Sequence, residues 1–456
     1  MSESSSSSSS TLRDLLLRLS NPIAESLASI PYTPHESSNV SVKAFLEPLL
    51  PTRDSISTIQ ASIKDFALAC ALLSSSTFDY SGLLSWIPNH LSSLATSSFY
   101  ELSQAYLAVF DDSNSHRVSE LGLNCDLVPP QKRLLLELMP QVLPFLKERI
   151  KESSIDKSDE SDEFSAASAR VPVGFAILAA YQFRWFVTQV DYPHLGKLCG
   201  LVIPCALTAV DHWSPEVKRQ GMISFTHIGK NVDAAEAGLY EDVILDACCQ
   251  NTAASDEIWD HVVETSVVLV TLTQRSNPRS PWFDRMLNEM LSHLERQPRN
   301  KERRIAWLKS VDSLFNGVGL MLLAHFRRIF PLFFQWMHAD DDDTIILVLK
   351  RTYLVLRLTW IRNSPYVARL VDKLALVYKE AALRTAREEI RANICQILIL
   401  LQESKGLHFN AAWDKHRSDP NLTTLSLSLS GRRDNTIRDI GSSESCRHQG
   451  SIPVQT

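Results

Sequence analysis

Apolar residues recur at the spacing of amphipathic helices along most of this chain, and from about residue 195 onward these helical stretches come in pairs. First helices of each pair open near Leu195, Leu239, Pro281, Leu322 and Tyr366, at separations of 44, 42, 41 and 44 residues. Second helices open near Pro215, Asp256, Lys301, Asp343 and Ala386, at separations of 41, 45, 42 and 43. Two interleaved series sharing one period describe a repeated helical hairpin. A hairpin of this length cannot bury its own apolar stripe and must stack on its neighbours.

Periods of about 40–47 residues with two helices per unit are those of HEAT and armadillo arrays. The expected fold class is therefore all-α, a HEAT/armadillo-type α-solenoid of stacked helical hairpins. Local chemistry agrees. Pro204 and Pro331 fall inside first helices, where the missing N–H and the ring bend the axis. Ser214, Pro215 and Glu216 read as N-cap, first helical residue and dipole-facing acid. Asp340–Asp343 stand at the corresponding turn of a later unit and read as caps, since the spaced acidic loop that binds calcium is absent.

The N-terminal third is less regular, with helices expected over 11–30, 41–50, 55–74, 81–109 and 130–151, the last carrying Pro140 and Pro144. The chain thus divides into a disordered Ser-rich start (1–10), an irregular helical lobe (11–150), an acidic disordered linker (151–169), the repeat array (170–415) and a disordered tail (416–456). Within that tail TLSLSLS, 424–430, alternates in the manner of a strand. The Ser run, the linker and the tail offer too little apolar surface to offset the entropy of ordering them.

Composition narrows the function. Hydrophobic residues make up 45% of the 456 positions, enough for a large core, and the formal charge of -6 argues against nucleic acid as partner. The eight cysteines, at 70, 125, 199, 205, 248, 249, 395 and 446, have no zinc spacing and read as reduced core thiols. No apolar run reaches the roughly 18 residues of a membrane span. The start MSESSSSSSST lacks the features of a secretory signal, which leaves the cytosol, the nucleus or both.

Nothing in the sequence assembles a catalytic, cofactor-binding or metal site. Asp191-Tyr192-Pro193-His194 reads as a turn rather than an acid–base pair. Cys248-Cys249 lies on a helix where one thiol faces the core. Arg and Trp are the residues most enriched at protein interfaces, and they gather here. One cluster holds Tyr181, Phe183, Arg184, Trp185 and Phe186; Trp282, Trp307, Trp336 and Trp360 recur later, mostly as core. The partner-binding candidates are Arg299, Arg303, Arg304, Arg327, Arg328, Trp336, Trp360 and Arg362, which would form a basic face. Ser158 and Ser161, set among carboxylates in SDESDE, are candidates for phosphorylation by acid-directed kinases.

Four stretches carry a family resemblance: YQFRWFVTQVDYPHLGKL, PCALTAVDHWSPEVKRQGM, NEMLSHLERQPRNKERRIAWL and HFRRIFPLFFQWMHADDD. Over roughly 130–415 the chain resembles the Tti-two family (TELO-two-interacting protein two), and plant members most of all. The resemblance implies a non-enzymatic subunit of the Triple T co-chaperone complex. It implies as partners the Tel-two and Tti-one proteins, the ninety-kilodalton heat-shock chaperone system and phosphatidylinositol 3-kinase-related kinases as clients, with no cofactor and no membrane. The other role such a fold would serve is a general HEAT/armadillo adaptor in nuclear transport or phosphatase assembly.

Overall fold

The computed structural model describes residues 3–33, 40–53, 58–78, 82–109, 128–153, 171–359 and 365–430. Those residues form helices and turns, without a strand among them. The chain divides into two compact units, 1–275 and 276–456.

Unit 1 opens with α1 (Glu3–Ser29), α2 (Val42–Leu46), α3 (Ile59–Ser74) and α4 (Asn89–Val109). It continues with α5 (Pro130–Glu152), α6 (Val173–Thr188), α7 (Cys199–Asp211) and α8 (Pro215–Asn231), then the short α9 (Ala234–Ala237), α10 (Glu241–Asn251) and α11 (Trp259–Thr273). The helices pack in two rows: α4, α5, α7 and α10 in one, α3, α6, α8 and α11 in the other. α6 is apolar nearly all round, so it lies in the core with every residue from Ala179 to Val187 buried. α7 and α8 approach closely at Gly221, where an added Cβ would come within 2.8 Å of Val210 and 2.9 Å of Ala209.

Unit 2 holds α12 (Pro281–Arg296), α13 (Lys301–Ser310), α14 (Asp312–Val318), α15 (Phe326–Trp336), α16 (Asp342–Thr359), α17 (Val367–Glu380) and α18 (Arg387–Trp413), followed by a helix over 423–430, α19. Here α13, α16 and α18 form one row and α12, α15 and α17 the other. Its core is aromatic: Trp307 meets Phe315, Phe333 and Trp336 with ring centroids 5.7, 6.3 and 6.0 Å away. The stretch Asp312–Trp336 is long and apolar enough to cross a membrane, unlike any run expected from the sequence. It is interrupted at Gly319, whose φ of 54° ends α14, and Phe330, Phe333 and Trp336 on α15 are buried in the unit.

Each unit is a stack of antiparallel helical hairpins, the all-α solenoid arrangement expected. Helices begin at Pro215, Pro281 and Lys301 as the periodicity predicts, and Tyr366 and Ala386 are the N-caps of α17 and α18. The structure changes the boundaries. No division falls at 151–169: α5 runs to Glu152 and packs against both α6 and α7, so the irregular lobe and the first repeats share one core. The 154–169 part of that linker, with Ser158 and Ser161, lies outside the described residues.

The chain ends differ from expectation too. The Ser run continues α1 from Glu3, propagated from a stripe of Leu12, Leu16, Leu19, Ile23 and Leu27, all buried. The tail is not unstructured through 430. Leu422, Leu425 and Leu429 have helical spacing and are buried, with Gln402 of α18 donating to the Leu429 carbonyl, and this burial orders α19.

Candidate interaction groove

An open groove of about 920 Å³ lies in unit 1. Its floor comes from the ends of α6, α8 and α11, and α4 with the end of α3 forms a wall. α4 supplies Ser92, Ser93, Thr96, Ser97 and Tyr100, a hydroxyl-bearing face that the sequence NHLSSLATSSFYELSQAYLAV turns away from its buried Leu91, Ala95 and Leu102. Ser74, Thr188 and Thr226 add hydroxyls from the neighbouring helices.

Beneath this polar lining sit Arg184 and Trp185. Arg184 is only 5% exposed, and its guanidinium lies 5.2 Å from the centre of the Tyr181 ring. Trp185 is fixed edge-on between Phe99 and Phe186, at 5.1 and 5.2 Å. The Tyr181 hydroxyl donates to Glu216 at 2.8 Å, and Glu216 also accepts from Arg219 at 2.5 Å and Gln220 at 2.7 Å. Gln182 donates to the Leu68 carbonyl at 3.0 Å, which ties α6 to α3. Thr226 and Thr265 share a hydrogen bond of 2.9 Å between α8 and α11. At the open edge Lys230 pairs with Glu264 at 2.8 Å. Burial lowers the pKa of His261 from the ordinary histidine value, so the ring is neutral near pH 7.

The two spots that sequence offered for chemistry lie elsewhere. Asp191 carries its carbonyl into a turn, accepting from the His194 and Leu195 N–H groups at 3.0 and 3.2 Å, while its carboxylate holds Lys132 at 2.5 Å. Cys248 and Cys249 are both buried, where one had been expected to face the core, and burial pushes the Cys248 thiol up to about 12. A thiol held protonated is a poor nucleophile.

Over 422 residues, 92% of this chain and 95% of the other, the sequence is 56% identical to the uncharacterized protein At2g39910 of Arabidopsis thaliana. This chain belongs to that family. No family model matches it. Solved structures with a similar course include a Kap95p–RanGDP assembly (10% identity, TM-score 0.46, covering 83% of this family member and 44% of that chain). An engineered protein (10% identity, TM-score 0.41, 85% and 97%) and Kap121p bound to RanGTP (11%, TM-score 0.34, 91% and 48%) are similar too. This family member thus spans less than half the length of either karyopherin chain.

In this family member the predicted basic face is largely consumed inside unit 2. Arg303 is buried at 6% exposure, and its backbone N–H donates to the capping Asn300 Oδ1 at 3.1 Å. Arg304 donates to Asp341 at 2.6 Å and to the Thr344 hydroxyl at 3.0 Å. Arg328 grips Glu295 with two bonds, of 2.9 and 2.7 Å, and also reaches Asn288 and Ser292. Trp336 is 1% exposed, and its indole N–H donates to the Pro298 carbonyl at 2.9 Å. Arg304, Arg328 and Trp336 are structural because each finds its partner in an adjacent hairpin. Arg299 and Arg327 are exposed; Trp360 and Arg362 lie outside the described residues.

The acidic turn caps as expected, with an added role. Asp341 accepts the Thr344 N–H at 2.9 Å and so caps α16; Asp342 accepts the Ala386 N–H at 2.9 Å and caps the start of α18 instead. Burial raises the Asp341 carboxyl, but the Thr344 bonds and Arg304 outweigh it and hold the group below the usual carboxylate range. Ser214 stands at its N-cap position without a side-chain bond; its N–H donates to His212 Nδ1 at 3.0 Å. Sequence reasoning had flagged Arg184 and Trp185, yet it passed over the α4 hydroxyls, which look like ordinary solvated positions until α6 is placed beside them.

Proposed function

We propose that the chain is a non-enzymatic scaffold, the Tti-two-type subunit of a Triple T co-chaperone assembly. It would act with Tel-two and Tti-one proteins and the heat-shock chaperone system in the maturation of phosphatidylinositol 3-kinase-related kinases, in the cytosol with access to the nucleus. One observation carries the reading: the four stretches that resemble the family pair with one another in space. Tyr181 in the first bonds Glu216 in the second, while the third and fourth are joined through Arg328 to Glu295 and Arg304 to Asp341. The resemblance thus falls on the joints that set one hairpin against the next, which is where a stacked array encodes the surface it presents.

Affinity capture of the tagged full chain from cells, followed by mass spectrometry, tests this. Recovery of the Tel-two and Tti-one proteins in amounts comparable to the bait is the expected result. Their absence from a capture in which the bait is abundant and folded overturns the assignment.

A further inference from the structure

We propose that unit 1 holds a pocket for a small, neutral aromatic molecule bearing one hydroxyl or N–H donor, between α2, α3, α5 and α6. The cavity is about 410 Å³ and shares no lining residue with the groove. Pockets that hold small molecules run from about 300 to 1,000 Å³, so this one suits a compact guest of about two or three fused rings. The site does not depend on which assembly the chain joins.

The walls set the ring. Leu68 on α3 and Ala179 on α6 are buried apolar lining, and Phe45, Phe145 and Phe175 bring one phenyl ring each from α2, α5 and α6. Phe45 and Phe175 meet with centroids 5.9 Å apart, and Val40 lies so near Gly174 that an added Cβ there would come within 2.8 Å of it. These contacts hold α2 against the start of α6. Phenyl walls favour a guest that offers ring edges and faces of its own. The lining is exposed at Ala44, Pro48, Phe145 and Arg149, which marks the opening. Lys64 and Arg149 stand 5.1 and 5.3 Å from the Phe145 ring centre and repel a cation, while Glu152, held by Arg149 at 3.1 Å, repels an anion. A neutral guest passes both.

Gln182 decides what the guest must carry. The residue is 1% exposed yet lines the cavity, and its Nε2 donates to the Leu68 carbonyl at 3.0 Å. A carbonyl can only accept, so that bond fixes the amide and leaves Oε1 as an acceptor. Among the described residues Oε1 has no hydrogen-bond partner. Ser41, the other neutral polar residue of the lining, is committed to capping α2 through the Ala44 N–H at 3.2 Å. A buried acceptor without a donor is costly, and a guest that brings one hydroxyl or N–H offsets that cost.

The test is equilibrium dialysis of the full chain against 2-naphthol, 2-methoxynaphthalene and 1-octanol. The first carries rings and a donor, the second keeps the rings without the donor, and the third keeps the donor without the rings. 2-Naphthol should bind about tenfold more tightly than either of the others. Ala44→Trp, at an exposed lining position of α2, should fill the opening and abolish binding while leaving the thermal melt unchanged. Gln182→Leu, if it folds, should bind 2-naphthol and its methyl ether equally. No retention of 2-naphthol, an ether or alcohol that binds as tightly as 2-naphthol does, or undiminished binding by folded Ala44→Trp overturns the proposal.

Discussion

The two units solve the same packing problem with different polar chemistry. In unit 1, the helices around the groove are joined mainly by neutral groups, Thr226 to Thr265, Ser74 to Thr96 and Gln182 to a backbone carbonyl, with the Lys230–Glu264 pair at the open edge. In unit 2 the joints are ionic. Arg304 meets Asp341, Arg328 meets Glu295, Arg351 meets Asp312 at 2.6 Å, and Asp372 holds both Lys415 and His416. Hydroxyls satisfied in pairs keep spare acceptor and donor capacity, and they leave a surface that can still be used. Arginines locked on carboxylates do not. The Arg-rich unit is thus the more self-contained, and the Ser-rich one carries the open groove.

The sharpest break of this comparison is at Trp336. As a free interface residue its loss would cost only binding; as core it should cost stability, and Trp336→Ala is expected to destabilise unit 2 by about 3–5 kcal/mol, read from the urea midpoint. An unchanged midpoint would return Trp336 to the surface.

Next in size is a response to acid at His212 in unit 1. His212 is buried, accepts the Ser214 N–H on Nδ1, and lies 3.1 Å from the buried Ser153 hydroxyl through Nε2. Burial, then the nearby Lys218 charge, lowers its pKa to about 4 from 6.5. The unfolded chain takes up the proton first as pH falls, so this stability is complete above pH 6.5 and drains away towards pH 4, by about 3 kcal/mol. Hydrogen exchange in α7 and α8 should rise across that window, and His212→Gln should flatten the dependence. A wild-type profile equally flat would show that the ring is accessible.

Smaller still, Arg304→Met should cost about 1–3 kcal/mol by leaving Asp341 short of a partner at a half-buried site. Raising salt should narrow the gap between wild type and variant, whereas Thr226→Val in unit 1 should show no such narrowing. The smallest effect belongs to Arg299→Ala and Arg327→Ala, both exposed, whose melting should move by no more than about 0.5 kcal/mol. A larger loss would mean that they too are joints.

Much of the fold was legible because caps and prolines mark helix starts. Ser280 before Pro281 and Asn300 before Lys301 announce α12 and α13, and both side chains do cap, onto the N–H groups of Trp282 and Arg303. The start near Leu322 was less sharp because 319–325 winds as a tighter helix before α15. TLSLSLS misled for a definable reason: its leucines fit both periods. Leu425 and Leu429 are four apart and share the buried face, while Leu427 between them is 68% exposed. The basic cluster misled because proximity in sequence is not proximity of partners. Arg304 and Arg328 find their acids 37 and 33 residues away, about one repeat. The groove was least visible, since its floor and wall come from five helices and most of its lining is built of the residues that sequence reading treats as background.

The Asp341-Asp342 step has a mechanical consequence. One carboxylate reaches back to Arg304 in the preceding hairpin, and the next reaches forward to Thr385 and Ala386 at the head of the following one. Two hairpins that do not adjoin in sequence are therefore yoked through a single peptide bond. A twist imposed on α13 has a short, stiff route to α18, and the acidic turn behaves as a coupling rod rather than a spacer. Neutralising Asp341 would loosen the tie to the preceding hairpin and neutralising Asp342 the tie to the following one, so two adjacent, chemically identical residues serve opposite neighbours.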